Sequence, residues 1–206
     1  MTRALIVVDV QNDFTEGGAL GVVGGDALAG RISAFLRRHA DEYDLIVGSR
    51  DWHDGDGDNG GHFAGAAGPD FTTTWPVHCV AGTPGADYHP DLDTAPIDVH
   101  VMKGQGEPAY SAFEGTTDTG QDLADVLFDR QVHEIAIVGI ATDHCVRATA
   151  QDGLRAGLDV VVLRDLVVGV DPERSATALA EIANAGGHVD VSDMDEGIAR
   201  PGGAQL

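Results

Sequence analysis

Ala4-Leu5-Ile6-Val7-Val8-Asp9-Val10 stands near the head of the chain, a largely β-branched apolar run interrupted by one carboxylate. A segment that is apolar at successive positions suits a strand covered on both faces, and such strands belong to parallel sheets layered between helices. The same texture returns at Leu45–Arg50, Val99–Lys103, Glu134–Ile140 and Asp159–Leu163, and more weakly at His188–Val191. Between these runs lie helical periodicities. Asp26–Tyr43 spaces Leu28, Ile32, Phe35 and Leu36 three to four apart, and Gln121–Arg130 carries Leu123, Val126 and Leu127. Thr142–Gly157 and Pro172–Ala185 complete the set, the latter opened by Asp-Pro and closed by Gly-Gly. Strand and helix alternate throughout, which predicts an α/β fold: a three-layer domain with a mostly parallel six-stranded sheet and helices on both faces.

Composition bounds the rest. A length of 206 residues suits a single domain spanning 1–206, and a 43% apolar fraction supports a buried core. The formal charge of −22 would repel nucleic acid and anionic membranes alike, so neither is expected as a partner. Two cysteines, Cys79 and Cys145, are too few for a disulfide framework. The first apolar run is too short for a signal peptide and nothing approaches a membrane-spanning length, so a soluble cytoplasmic protein is expected, with both monomer and homo-oligomer open. The tail Arg200–Leu206 reads as frayed.

The connection from Asp51 to Asp98 has no long periodic segment, yet it holds four histidines and both tryptophans. Unstructured connections of that length inside compact domains are usually functional. Trp75, Phe63 and Phe71 are expected to anchor this one.

In an open parallel sheet, ligands bind beyond the carboxyl ends of the strands. Asp9 lies at the end of the first predicted strand, Asp51 and His53 follow the second, Lys103 ends the third, and Ile140-Ala141-Thr142-Asp143-His144-Cys145 joins the fourth to its helix. Cys145, near a helix start where backbone N–H groups and the dipole favour a thiolate, reads as a nucleophile. Asp9 reads as the general base that takes the thiol proton and later returns it. Lys103 is the one lysine beside eleven arginines, and a compact ammonium at a strand end suits holding Asp9 ionised and stabilising the thiolate. Asp51, His53, His62 and His78 offer one oxygen and three imidazoles, a donor set for a divalent transition metal such as zinc, manganese or iron. His39, His89, His100, His133 and His188 are left outside the site, and Cys79 reads as a packed residue lining it.

Other motifs fail on their own terms. Asp54–Asn59 begins like a calcium loop, but Asn59 stands where the turn glycine belongs and Gly65 where the bidentate acid belongs. There is no G-x-G-x-x-G after the first strand, no phosphate loop, no H-E-x-x-H and no G-x-S-x-G.

Val8-Asp9-Val10-Gln11-Asn12-Asp13-Phe14, Asp51-Trp52-His53, Trp75-Pro76-Val77-His78-Cys79, Met102-Lys103-Gly104, Tyr110-Ser111-Ala112-Phe113 and Gly139–Val146 occur in that order. So arranged, the chain resembles the nicotinamidase/pyrazinamidase branch of the isochorismatase-like cysteine hydrolases. The resemblance implies a Cys-Asp-Lys triad at Cys145, Asp9 and Lys103 and metal ligands at Asp51, His53, His62 and His78, holding one divalent ion, zinc foremost. It implies a pocket formed by Phe14, Trp75, Tyr110 and Ile140. It also implies a cis peptide between Ile140 and Ala141, with the N–H groups of Ala141 and Cys145 as oxyanion hole. The expected reaction is hydrolysis of nicotinamide to nicotinate and ammonia through a thioester, with pyrazinamide as a second substrate. One departure is the eight residues between His53 and His62, an apparent insertion around Asp54–Gly61. Two alternatives stand beside this reading: a metal-free amidohydrolase of the same fold acting on a carbamoyl or ureido group, and a non-enzymatic metal or thiol redox protein.

Overall fold

The computed structural model describes residues 2–192. Six parallel strands form one sheet: β1 (Thr2–Val8), β2 (Leu45–Asp51), β3 (Val99–Lys103), β4 (Val132–Ile140), β5 (Asp159–Val168) and β6 (His188–Asp190), in the order β3-β2-β1-β4-β5-β6. The most apolar run therefore occupies the middle. In β1, Ala4 pairs with Leu45 on one side and with Ile135 on the other.

Alternation along β1 explains the three layers. Leu5 and Val7 point to one face and pack with Leu28, Ile32 and Leu36 of α1 (Gly25–His39). Ala4, Ile6 and Val8 point to the other, beneath Leu123 and Leu127 of α2 (Leu123–Asp129), Ala150 of α3 (Arg147–Arg155) and Ile182 of α4 (Pro172–Asn184). Both clusters are closed to solvent, and their apolar burial, at roughly 25 cal/mol per Å², is the main term holding the layers together.

Several boundaries differ from expectation. The first strand stops at Val8 because Asp9 turns the backbone left-handed, with φ 47°, and its N–H donates to Ser49 O. The fifth strand continues past Leu163 through Arg164 and Asp165, whose charges end the apolar pattern but not the ladder. Pairing jumps there from Ile137↔Val162 to Gly139↔Val167, a bulge on the β5 side. Gly139 sits at this irregularity with φ 122°, where a Cβ would lie 2.0 Å from Val8 O. Thr142–Gly157 is not one helix: Thr142–Val146 forms a π-helical turn before α3 begins. The tail at 200–206 lies outside the described residues.

Residues 52–98 are irregular but tied to the scaffold by bridges pairing His53 with Val80, Phe63 with Trp75 and Gln11 with Tyr88. Phe63 and Trp75 are buried, as an anchoring role requires. Phe71 is not: it is 54% exposed. The Asp70 carboxylate accepts from the N–H groups of Thr72, Thr73 and Thr74, and the tight turn so formed holds Phe71 at φ 55° and turns it outward.

The start of α1 has no side-chain cap of its own, because Gly24 occupies that position. Glu16 supplies one from the preceding loop, accepting from Gly24 N at 2.6 Å and Asp26 N at 2.7 Å. The Asp26 and Gly24 N–H groups pull the Glu16 carboxyl down to about 2 from an ordinary 4.5. A carboxylate with a depressed folded value stabilises the fold above its unfolded value, and that contribution is lost as pH falls through the folded one. Glu16→Gln should therefore lower the urea midpoint near neutrality, and the deficit should shrink between pH 4.5 and about 2. A deficit constant across that window would remove the capping carboxylate from this account.

Candidate active site

The strand ends deliver their side chains to one place. Lys103 closes β3 with its ammonium buried at 0% exposure, and its Nζ lies 2.9 Å from Asp9 Oδ2, 3.9 Å from Cys145 Sγ and in a short contact with Asp51 Oδ1. Three stretches far apart in sequence thus meet on one cation. Burial alone would lower the lysine, but Asp51 and Asp9 on either side raise it well above its ordinary value, so it stays charged. Burial would likewise raise Asp51; Lys103 and the adjoining imidazoles of His53 and His78 hold it well below the usual carboxylate range.

Asp9 behaves differently. Burial raises it, Lys103 opposes, and the net direction is upward. Its Oδ1 accepts from Ser49 Oγ at 2.7 Å, whereas Oδ2 keeps a lone pair with no well-aligned donor despite its ion pair with Lys103. The Cys145 thiol is within hydrogen-bonding range of Asp9 and is itself pushed well above its ordinary value, by burial first and by the two carboxylates next, against Lys103. A resting thiolate, the expectation from a helix start, is therefore not what the surroundings favour. Desolvation outweighs the π-helical turn, and the thiol and the carboxyl are both poised to hold a proton.

On the far side of Asp51 stand the histidines. Asp51 Oδ2 is 3.6 Å from both His53 Nε2 and His78 Nε2, and ring nitrogens of His53, His62 and His78 gather within 4.8 Å of one another. The second nitrogens are already engaged: His53 Nδ1 with Gly104 O at 2.7 Å and His78 Nδ1 with Pro76 O at 2.8 Å. Donation to those carbonyls leaves each Nε2 with a lone pair aimed inward, the usual second layer of a metal site. His53 Nε2 and His62 Nδ1 are buried without a hydrogen-bond partner, an unfavourable state for polar atoms unless a cation satisfies them. Burial first, then its two imidazole neighbours, pushes His62 down to about 4, so its ring is neutral and able to ligate. Bonds of about 2.1 Å place neighbouring tetrahedral donors about 3.4 Å apart, close to the Asp51 spacings. The donor set fits a divalent metal ion.

The insertion does not carry His62 away. Asn59, buried at φ 48°, donates to Asp54 O, and its Oδ1 accepts from Asp54 N and Gly106 N, so the extra residues fold back on themselves. Gly104, at φ 82°, supports the cluster from behind, since a Cβ there would lie 2.5 Å from His53 Cε1.

A cavity of about 480 Å³ opens over this centre, walled by Phe14, Trp75, Tyr110, Ile140, Ala141, Cys145, Asp51, His62 and His78. Asp9, Lys103 and His53 lie behind the wall. Trp75 Nε1 donates to Tyr110 Oη at 2.9 Å, which fixes two aromatic walls against each other, and Phe14 stands 5.6 Å from the His78 ring. The Ile140–Ala141 peptide is cis. Cys79 is buried but does not reach the cavity; its Sγ packs 3.9 Å from Gly85 O.

Several supporting residues escaped the sequence reading. Ser49 orients Asp9, and its signal was a hydroxyl inside an apolar strand. Gln11 grips the Asp51 backbone, donating to Asp51 O at 2.9 Å and accepting from Asp51 N at 2.8 Å. His144 faces Trp75 edge-on at 5.3 Å and adds a further wall.

Comparison with known proteins follows the same lines. A model of the isochorismatase domain matches residues 3–193. The chain belongs to the isochorismatase family. Within it, the chain is 51% identical over 183 residues to the nicotinamidase/pyrazinamidase of Mycobacterium tuberculosis, covering 89% of this chain and 95% of that one. Its fold is similar to the pyrazinamidase of Pyrococcus horikoshii in complex with zinc, with a TM-score of 0.79 and 40% identity over 93% of this chain and 100% of the other. It is also similar to PnC1 from L. infantum in complex with nicotinate, with a TM-score of 0.78 and 34% identity over 92% of each chain. Among the described residues no helix is long and apolar enough to cross a membrane.

Removing the shared cation tests the centre. Lys103→Met keeps the apolar stem but leaves Asp9 and Asp51 buried together without compensation. In chelator-treated protein this variant should lose about 3–5 kcal/mol of unfolding free energy at neutral pH. A loss below about 1 kcal/mol would mean that the lysine does not hold the carboxylates together.

Proposed function

We propose that this chain is a metal-dependent nicotinamidase, hydrolysing nicotinamide to nicotinate and ammonia. The observation that carries the reading is the meeting of a thiol, a carboxyl and a buried ammonium at one point beside a three-histidine cluster. Cys145 is the nucleophile, Asp9 the proton carrier and Lys103 the residue that keeps both in place; Phe14, Trp75, Tyr110 and Ile140 hold the pyridine ring.

Asp51, His53, His62 and His78 are the proposed ligands of the metal, which when bound supplies a Lewis-acid site for the ring nitrogen; the nitrogen-rich donor set favours zinc over iron or manganese. The aromatic walls present the carboxamide to Cys145, and such orientation contributes several kcal/mol toward the barrier. Asp9 takes the thiol proton as sulfur attacks the carbonyl carbon, and the carbonyl π pair moves to oxygen. Backbone N–H groups of Ala141 and Cys145 receive that oxyanion, each such donor being worth roughly 2.7–4 kcal/mol. As the pair returns and the C–N bond breaks, Asp9 passes its proton to nitrogen and ammonia leaves, with a thioester on Cys145. Water then attacks the acyl carbon while Asp9 removes one of its protons; the C–S bond breaks, that proton returns to sulfur, and the acid gives its remaining proton to solvent and leaves as nicotinate.

The raised positions of Asp9 and Cys145 suit this exchange. Burial raises Asp9 as well as Cys145, so the carboxylate is a stronger base than an exposed one and can hold the proton it takes from the thiol. Pyrazinamide presents the same carboxamide on a similar ring and is the proposed second substrate. This assignment puts the enzyme in cytoplasmic salvage of pyridine nucleotides, and it rests on the substrate named above.

Ammonia release from nicotinamide, measured with and without chelator, is the test. Activity should vanish with chelator and return with zinc. Cys145→Ala should reduce turnover by more than about 10⁴-fold while metal content is unchanged. His53→Ala should lose metal and turnover together. Substantial hydrolysis by the cysteine variant would rule out the thioester route, and chelator-resistant turnover would favour a metal-free amidohydrolase instead.

A further inference from the structure

The cavity is larger than the substrate just proposed. Its volume of about 480 Å³ is that of a pocket for a drug-sized ligand, whereas nicotinamide is one ring with one carboxamide. The inner end, at Cys145, Asp51, His62 and His78, is sealed from solvent. The outer end is open: Phe71 and Val170 line the same cavity at 54% and 56% exposure, with Arg174 beside them.

Arg174 lies in the first turn of α4, where its N–H is capped by Asp171. Two of the nearby carboxylates have other partners. Asp143 accepts from Val170 N and Asp171 N, and Glu181 pairs with Arg147 at 2.6 Å. Among the described residues no carboxylate lies within ion-pair distance of the Arg174 guanidinium. Its field nevertheless reaches the cavity wall: burial first lowers His144, Asp143 opposes, and the guanidinium groups of Arg174 and Arg147 lower it further. A neutral carboxamide held at Cys145 offers this cation no opposite charge. A guanidinium with no ion-pair partner among the described residues, beside Phe71 and Val170 at the mouth of a cavity, is a place for an anion even against the chain's overall charge of −22.

We propose that Arg174, with Val170 and Phe71, forms an outer subsite that receives an anionic substituent on the ring of the amide, so that the enzyme accepts pyridine carboxamides carrying a second, acidic group. The proposal rests on the nicotinamidase reading. With the carboxamide at Cys145 and the ring nitrogen toward the histidines, one ring carbon is flanked by neither the nitrogen nor the carboxamide-bearing carbon. That carbon faces away from the sealed end, and a carboxylate on it, directly or through a methylene, is directed toward the mouth.

The test compares three compounds: nicotinamide, its derivative with a carboxylate on that carbon, and the methyl ester of the derivative. In the wild type, kcat/KM for the acid should exceed that for the ester by about fivefold, a preference that weakens with added salt. Arg174→Gln should bring the ratio to about one, and Arg174→Glu should invert it. Titrating the acid and the ester into the Cys145→Ala protein reads the same preference as a ratio of Kd without turnover. A ratio unchanged in Arg174→Gln, or an acid rejected by the wild type that hydrolyses nicotinamide, overturns the subsite alone. Failure to hydrolyse nicotinamide overturns the reading beneath it, and the Kd ratio still decides whether Arg174 holds the anion.

Discussion

A lysine ammonium buried among two carboxylates and a thiol is the constraint around which the rest of the site is arranged. Desolvating one charge costs several kcal/mol, and only close opposite charges with good hydrogen bonds offset it. Lys103 meets that condition by contacting Asp9 from β1 and Asp51 from β2 while ending β3 itself. The arrangement couples the chemistry to the fold, because the three strand ends cannot separate without exposing or orphaning a charge. It also gives the two carboxylates opposite characters. Asp51 is held as an anion for the histidine cluster, whereas Asp9 is raised toward the protonated form. One cation stands between a carboxylate that faces the histidines and a carboxyl raised toward protonation.

Around that centre, the irregular connection does work that strands cannot. Parallel strands bring side chains to one edge but leave the space above it open. The segment after β2 closes that space with Phe63 and Trp75 buried, and its inserted residues are internally satisfied through Asn59. Gly104 and Gln11 perform quieter tasks, one by having no side chain against His53 and the other by gripping the backbone of Asp51. The cavity that results is sealed at Cys145, Asp51, His62 and His78 and open where Phe71, Val170 and Arg174 meet solvent.

Much of this was legible in the chain. Runs such as Ala4–Val8 and Leu45–Ser49 are apolar at every or nearly every position, so their burial on both faces, and with it the parallel sheet between helices, follows from pattern alone. The rule that ligands sit beyond carboxyl ends then placed Asp9, Asp51, His53, Lys103 and Cys145 on one edge. Less legible were the places where local pattern and tertiary context conflict. Arg164 and Asp165 looked like the end of a strand, yet pairing resumes at Val167 beyond a bulge that takes up both residues, with Arg164 exposed and the Asp165 carboxylate accepting from Ser192 N and Oγ. Phe71 looked like an anchor, yet the Asp70 turn directs it outward.

By itself, then, the sequence determined the layered α/β architecture and the residue types available at the strand ends, because hydrophobic periodicity acts over short range. Tertiary structure alone decided the protonation preferences. Whether Cys145 rests as thiol or thiolate depends on how completely its surroundings exclude water, and burial outweighs the ammonium beside it. It also decided that His62 joins the cluster across an insertion, and that Arg174, with no ion-pair partner among the described residues, stands at the cavity mouth. These are facts about distance between residues remote in the chain, and electrostatic energies depend on that distance and on the local dielectric, neither of which a one-dimensional pattern encodes.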